Sequence, residues 1–365
     1  MGDWEVTPPT IPALEAALER ASSGARLSAP EAHALFSAPL AALGAAADAV
    51  CRRLHPEPIR TFVIDRNINY TNVCLSGCAF CAFFRPPGHA EGYVLTPEEI
   101  LAKVEEAVSL GATQIMLQGG MHPALPLAWF EDVFRAIKAR FPVTLHSLTA
   151  PEIVHLARLS GLSLGETLQR LHDAGLDSLP GGGAEILCDD VRAQLSPRKC
   201  TTDEWFAVMR EAHALGMRAT ATMMFGHIET LAHRVAHLLR VRDFQDQTGM
   251  FTAFIPWSFQ PANTALGGQP AGAHDYLRTL AISRLVLDNV PNLQASWVTQ
   301  GAKVAQLSLA FGANDLGSAM LEENVVRAAG VTFRMSKHEL SDLIRRAGYT
   351  AAIRDTYYHI LEVAP

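Results

Sequence analysis

Residues 96–120 read TPEEILAKVEEAVSLGATQIMLQGG. Thr96 and Glu99 have the spacing of a capping box, and Pro97 falls where a first helical turn tolerates a missing N–H. Ile100, Val104, Ala107 and Val108 then form one apolar stripe, and Gly111 is placed to stop the helix. Gln114–Leu117 follows as a short apolar run of the kind a parallel, doubly covered strand requires, ending at Gly119-Gly120. One helix and one strand joined this closely make a βα repeat, and the same alternation extends outward in both directions.

Upstream, Thr61–Ile64 reads as the first strand. Downstream, Trp129–Arg140 reads as a helix, and strands are predicted at Val143–His146, Asp177–Leu179, Arg218–Met224, Phe251–Pro256 and Leu293–Trp297, with an eighth at Leu309–Phe311. Thr201 and Glu204 open a helix that buries Trp205, Val208, Met209 and Ala212 before Gly216. Ala273–Asp288 is a further helix with Leu277, Leu280, Ala281 and Leu285 inward. Repeated units of this kind build a (β/α) barrel or a doubly wound sheet. The barrel is favoured because polar or glycine-rich residues follow almost every strand: Gln118, His146, Pro180, Gly226, Trp257, Thr299 and Asn314. We therefore expect a (β/α)8 TIM-type barrel over 59–315. A helical cap over 1–58, with a helix start at Ser28, would precede it, and an extension over 316–365 would pack on the barrel.

The chain has 365 residues, 49% hydrophobic and 18% charged, enough to build a large core. Thirty basic against thirty-seven acidic residues give a formal charge of −7. No stretch gathers Lys and Arg with aromatics, which argues against a nucleic-acid partner. Met1–Pro9 lacks the basic and apolar regions of a secretory signal, and no apolar run is long enough for a bilayer, so a cytoplasmic protein without a membrane partner is expected. Six cysteines in a chain this large are not a disulfide framework.

Three of them, Cys74, Cys78 and Cys81, stand as C-x3-C-x2-C in YTNVCLSGCAFC, directly after the first strand. Thiolates suit iron–sulfur centres and zinc. A structural zinc site closes with four ligands, yet the next cysteines are Cys188 and Cys200, far from zinc-like spacing. An electron carrier would also commonly close its cluster with four thiolates. Three thiolates in one short loop can hold a cube-shaped iron–sulfur cluster and leave one iron open for chemistry, although the spacing alone does not choose between metals.

This loop, with Phe80 before its last cysteine, resembles the motif of the radical S-adenosylmethionine (SAM) superfamily, over roughly Phe62–Phe311. The resemblance implies a barrel of the radical SAM kind, a [4Fe-4S] cluster on Cys74, Cys78 and Cys81, SAM on the open iron, and a low-potential electron donor as partner. Gln118, Gly119 and Gly120 are similar to the superfamily's glycine motif beside the methionine amino group. Thr222, Met224, Gly226 and Glu229 are similar to its strand-five signature, with Thr and Met replacing Gly and Ile. Phe80 and Met224 would then flank adenine, Glu185 would reach the ribose or methionine end, and Arg198 or Lys199 would pair with the carboxylate, unless they are a solvated surface pair.

The segments 69–74, 254–264, 294–301 and 311–318 narrow the resemblance to the menaquinone- and deazaflavin-pathway enzymes of that superfamily. That group implies a nucleoside-derived small-molecule substrate, a new C–C bond, a proton acceptor, and apolar walls. Candidate acids and bases are His146, Asp288 and Glu322, with Asp315 and Glu323 beside them; His146 is equally a satisfied structural histidine and Asp288 a capping acid. Trp257, Phe259 and Trp297 are candidate walls or ordinary core. Arg85, Asn314 and Asp315 are candidates for gripping the substrate, and Arg85 is also a candidate shield for the cluster or a plain surface residue.

Overall fold

The computed structural model describes residues 10–364; the leader reading of Met1–Pro9 lies outside them. In chain order the strands are β1 (Ile59–Val63), β2 (Asp65–Ile68), β3 (Gln114–Leu117), β4 (Thr144–Leu145), β5 (Ser178–Leu179), β6 (Arg218–Phe225), β7 (Phe251–Ser258), β8 (Asn292–Leu293), β9 (Asp315–Ser318), β10 (Thr350–Arg354) and β11 (Ile360–Val363). β1 and β2 are two halves of one strand, which changes partners at Ile64. The half β1 pairs in parallel with β9 and β10, and the half β2 pairs with β3. From β3 the parallel ladder passes to β4, through the His146–Ser178 bridge to β5, and on through β6 and β7 to β8. A Gln294–Asp315 bridge carries it to β9, which returns to β1 and closes the ring. Counting β1 and β2 as one, the ring has eight strands, as the alternation requires.

Two strand expectations are corrected. Trp297 opens the helix Trp297–Ser308, so the seventh strand is only Asn292–Leu293, and Leu309–Phe311 is the turn after that helix. The eighth strand is Asp315–Ser318, whose sequence Asp-Leu-Gly-Ser does not read as a buried strand. It is stable there because its polar groups find partners inside. Asp315 accepts hydrogen bonds from Thr61 (2.6 Å) and Arg354 (2.5 Å), and the Ser318 hydroxyl bonds Asp65.

The first three α-helices, Ile11–Ser23, Ala29–Ala34 and Leu40–Leu54, lie on the end of the barrel where the strands begin. Both halves of the Ser28–Glu31 capping box form. Arg278 binds the carbonyls of Phe36 and Ala38, and Arg242 binds that of Leu27, so barrel helices satisfy the cap's free carbonyls. After the helix Lys337–Arg346, the chain enters the barrel wall as β10 and turns back as β11. Among the described residues no helix is long and apolar enough to cross a membrane.

Candidate active site

The C-terminal ends of the strands form the mouth, where βα loops of a barrel converge. The cysteine loop leaves β2 there and is tied down by its backbone. Cys74 N–H donates to Arg85 O (2.9 Å), Arg85 N–H to Asn72 O (2.7 Å), and Leu75 N–H to Met121 O (3.1 Å). Cys74 Sγ accepts N–H bonds from Met121 (3.3 Å) and Ser76 (3.4 Å), and the Ser76 hydroxyl lies 3.1 Å from both Cys74 and Cys78. Burial pushes the Cys78 and Cys81 thiols up; Lys199 pulls Cys78 back, and the N–H groups of Phe84 and Phe83 do the same at Cys81.

The glycines after β3 have a packing reason. A Cβ on Gly120 would run into the Val73 carbonyl, and one on Gly119 would lie 2.7 Å from the Tyr70 ring. Gly120 N–H donates to Thr71 O (3.0 Å), so the strand end and the cysteine loop touch backbone to backbone. Gln118 lines the barrel cavity beside them.

Lys199, Glu185, Phe80 and Met224 come together. Lys199 Nζ is 2.8 Å from Glu185 and 5.2 Å above the Phe80 ring. Glu185 holds φ at +39°, an uncommon value for a residue with a side chain, and its carbonyl accepts from Met224 N–H (3.0 Å). One Glu185 oxygen, Oε2, is buried without a hydrogen-bond partner. Arg198 is exposed and lies against Gly77, on the outer side of the loop. The strand-five signature closes differently: Glu229 accepts from Gly226 N–H (2.6 Å) and His227 N–H (2.8 Å) and pairs with Arg234. Burial opposes that charge, but His227 and Arg234 outweigh it and hold Glu229 down to about 2.

Below the mouth is a cavity of about 290 Å³. Trp257 and Trp297 wall it, and His146 faces it. Burial and the Arg354 charge pull His146 down to about 3, and its Nδ1 lies 2.7 Å from the Ser178 hydroxyl, so the ring is neutral near pH 7.

Several expected site residues lie elsewhere. Asp288 follows the end of a helix that runs back toward the strand beginnings, where Arg26 bridges it (3.0 Å) to Asp246 (2.6 Å). Asn314 and Asp315 sit at the start of β9, not its end: Asn314 binds Arg284 (2.8 Å) and Asp315 binds Arg354. Glu322 faces outward to Arg66 (2.6 Å) and Lys103 (2.9 Å); burial opposes its charge, but Lys103, Asn324 and Arg66 win and hold its pKa low. Arg85 spends Nη1 on the carbonyls of Ala82 (3.1 Å) and Phe84 (3.0 Å) and its Nε on Glu91 (2.7 Å), so it braces the loop. Phe259 is buried against His227.

The cavity instead presents Asp65, which the sequence reading passed over, and Glu323, which it placed beside the candidate acids. Asp65 is fully buried in its wall, bonded by Ser318 and by Gln114 (2.8 Å), and burial pushes it up to about 6 against those bonds and the Arg354 charge. Glu323, one residue past Glu322, faces inward and accepts from Val325 N–H (2.7 Å) and Val326 N–H (2.9 Å); burial raises its pKa. Period-two alternation along 63–67 puts Val63, Asp65 and Asn67 on one face, a signal available in sequence once that face is known to be the interior.

Residues 68–241 match the radical SAM superfamily and residues 248–365 the CofH/MqnC C-terminal region. The cyclic dehypoxanthine futalosine synthase of Halalkalibacterium halodurans is 49% identical over 95% of this chain and 95% of its own. The chain belongs to the radical SAM superfamily. The Streptomyces coelicolor protein of the same name is 49% identical over 96% of this chain and 89% of its own. In Methanopyrus kandleri, 5-amino-6-(D-ribitylamino)uracil–L-tyrosine 4-hydroxyphenyl transferase is 41% identical over 83% of this chain and 85% of its own. The structure of the hydrogenase maturase HydG from Carboxydothermus hydrogenoformans shares the fold at a TM-score of 0.74 with 15% identity, over 94% of this chain and 80% of that one. Methylornithine synthase (PylB) does so at 0.71 with 17% identity, over 91% and 95%.

Radical SAM enzymes use a [4Fe-4S] cluster and SAM, and the loop fits such a cluster. Its donor set is three thiols from one short segment, and backbone N–H groups already point at two of the sulfurs, the bonding that tunes iron–sulfur centres. The chain is thus a radical SAM enzyme.

Proposed function

We propose that this radical SAM enzyme converts dehypoxanthine futalosine to cyclic dehypoxanthinyl futalosine, in the futalosine route to menaquinone. The observation that carries this is the 49% identity, spread over 95% of the chain, to the curated synthase of that name. Cys74, Cys78 and Cys81 would hold the cluster, and Glu185 with Lys199 would form the polar grip for SAM beside it. Bound together, the cluster and SAM supply a 5′-deoxyadenosyl radical.

The protein's own contribution is placement and proton handling. The cyclisation removes hydrogen from ribose C4′ and from one ring carbon and joins those two carbons. Trp257 and Trp297 hold the aromatic ring and exclude water from the cavity. Asp65, with its pKa near 6, is ionised at neutral pH and stands in the wall as acceptor for the ring proton. An external low-potential carrier provides the electron that releases the radical, and the electron given up as the ring loses its proton and regains aromaticity would return to the oxidised cluster, so the cyclisation needs no further oxidant.

The 41% identity to the 4-hydroxyphenyl transferases supports a second reading, in which the substrates are 5-amino-6-(D-ribitylamino)uracil and L-tyrosine. Anaerobic incubation of the iron- and sulfide-reconstituted protein with reductant, SAM and each substrate set, followed by mass spectrometry, separates the two. Cyclised product together with 5′-deoxyadenosine supports the cyclase; 4-hydroxyphenyl transfer would replace that reading with the second.

A further inference from the structure

The expected C-terminal extension does more than cover the barrel. β10 pairs with the first half of strand one, register Ile59 with Thr350 to Phe62 with Ile353, and so enters at the end opposite the cysteine loop. Past β10 the chain makes a tight turn: Asp355 N–H donates to His359 O (2.9 Å), while Tyr357 N–H (2.8 Å) and His359 N–H (2.9 Å) donate to the Asp355 carboxylate. Tyr358 takes φ of +70° in that turn, which points its ring inward over the Arg354 guanidinium at 3.8 Å. Arg354, Thr356 and Tyr358 thereby line the same cavity as Trp257, Trp297 and Asp65.

Arg354 is engaged: Nε and Nη2 bind Asp315, and Nη1 binds the Asp355 carbonyl (2.9 Å). The hydroxyls beside it are not. Thr356, only 6% exposed, has a buried Oγ1 with no hydrogen-bond partner, and the Tyr358 hydroxyl is likewise buried and unpartnered. Asn67, 5% exposed and lining the same cavity from β2, has an unpartnered Oδ1. Three orphaned polar atoms around one cavity are costly unless a ligand satisfies them.

We propose that the chain's own C-terminal hairpin is part of the substrate site, with the Thr356 and Tyr358 hydroxyls donating to acceptor oxygens on the end of the substrate that points away from the cysteine loop. Asn67 Oδ1 accepts from a hydroxyl of the same molecule. This deepens the proposed function and rests on it for the nucleoside-derived class of substrate. It gives the hairpin a specificity role, since an analogue lacking those oxygens would leave buried hydroxyls unpaired.

The test uses the full-length, cluster-loaded enzyme and the substrate that the wild type turns over. Tyr358→Phe and Thr356→Val each remove one oxygen while keeping the shape. Each should raise KM about tenfold, with kcat changing less than KM. Thr356→Ser, which restores the hydroxyl, should bring KM back to within about twofold of wild type. Tyr357→Phe, on the exposed side of the turn, is the control. KM unchanged in both oxygen-deleting variants overturns the inference, and so does a loss confined to kcat with iron content intact. If the wild type rejects dehypoxanthine futalosine but turns over the transferase substrates, the proposed function fails, and the same KM comparison on those substrates decides the hairpin separately.

Discussion

The cysteine loop and the C-terminal hairpin occupy opposite ends of one barrel and are held in opposite ways. At the mouth, the loop is fixed by backbone bonds, within itself at Cys74 N–H to Arg85 O and to the end of β3 at Leu75 N–H to Met121 O, and its cysteines are legible in sequence spacing. At the floor, a buried charge pair joins Arg354 to Asp315, which are 4% and 0% exposed, and nothing local specifies it. The chemistry of the mouth therefore rests on its own three cysteines, with the end of β3 packed against them. The floor depends on long-range partners, and breaking one of them leaves a charge without compensation.

The largest effect should come from the mouth. Cys74→Ala, Cys78→Ala or Cys81→Ala should each abolish product formation and cluster absorbance while circular dichroism stays that of the wild type; normal turnover by any of the three would break the contrast. Arg354→Met should show the reverse pattern, a stability loss of about 3–5 kcal/mol in denaturant unfolding, because Asp315 stays buried and unpaired. A cost below about 1 kcal/mol, the range of a surface pair, would place the floor's stability elsewhere.

Asp65 sharpens the comparison chemically. Only its ionised form accepts a proton, so kcat should rise as pH climbs through about 6 and level off above it. Asp65→Asn should lower kcat by about 10²-fold and remove that limb of the profile. A limb that survives in the variant would assign it to another group, Glu323 first among the described residues. The smallest effect belongs to Asp288→Asn, which loosens a half-exposed contact with Arg26 and should change stability by less than about 1 kcal/mol and leave kcat unaltered.

The same contrast explains what the sequence could tell. Cap signals at Thr96, Ser28 and Thr201 are local and could be read directly, as could the cysteine spacing. The two-residue strands β4, β5 and β8 leave too little pattern to bound, and β9 is polar because its partners are interior and distant in the chain: Asp65 for Ser318, Arg354 for Asp315. Asp288 and Asn314 misled because they lie at the barrel's other end, one after a helix that runs against the strands, the other just ahead of β9. Glu322 and Glu323 are neighbours with opposite directions, one to Lys103 outside and one to the cavity, and residue type does not distinguish them.

The most direct measurement follows the hydrogen itself. Dehypoxanthine futalosine deuterated at ribose C4′ is incubated anaerobically with the reconstituted enzyme, reductant and SAM, and both products are weighed by mass spectrometry. The account predicts deuterium in 5′-deoxyadenosine, formed together with cyclised product. Cleavage of SAM by a fully cluster-loaded enzyme, with no deuterium transferred and no cyclised product, would contradict it.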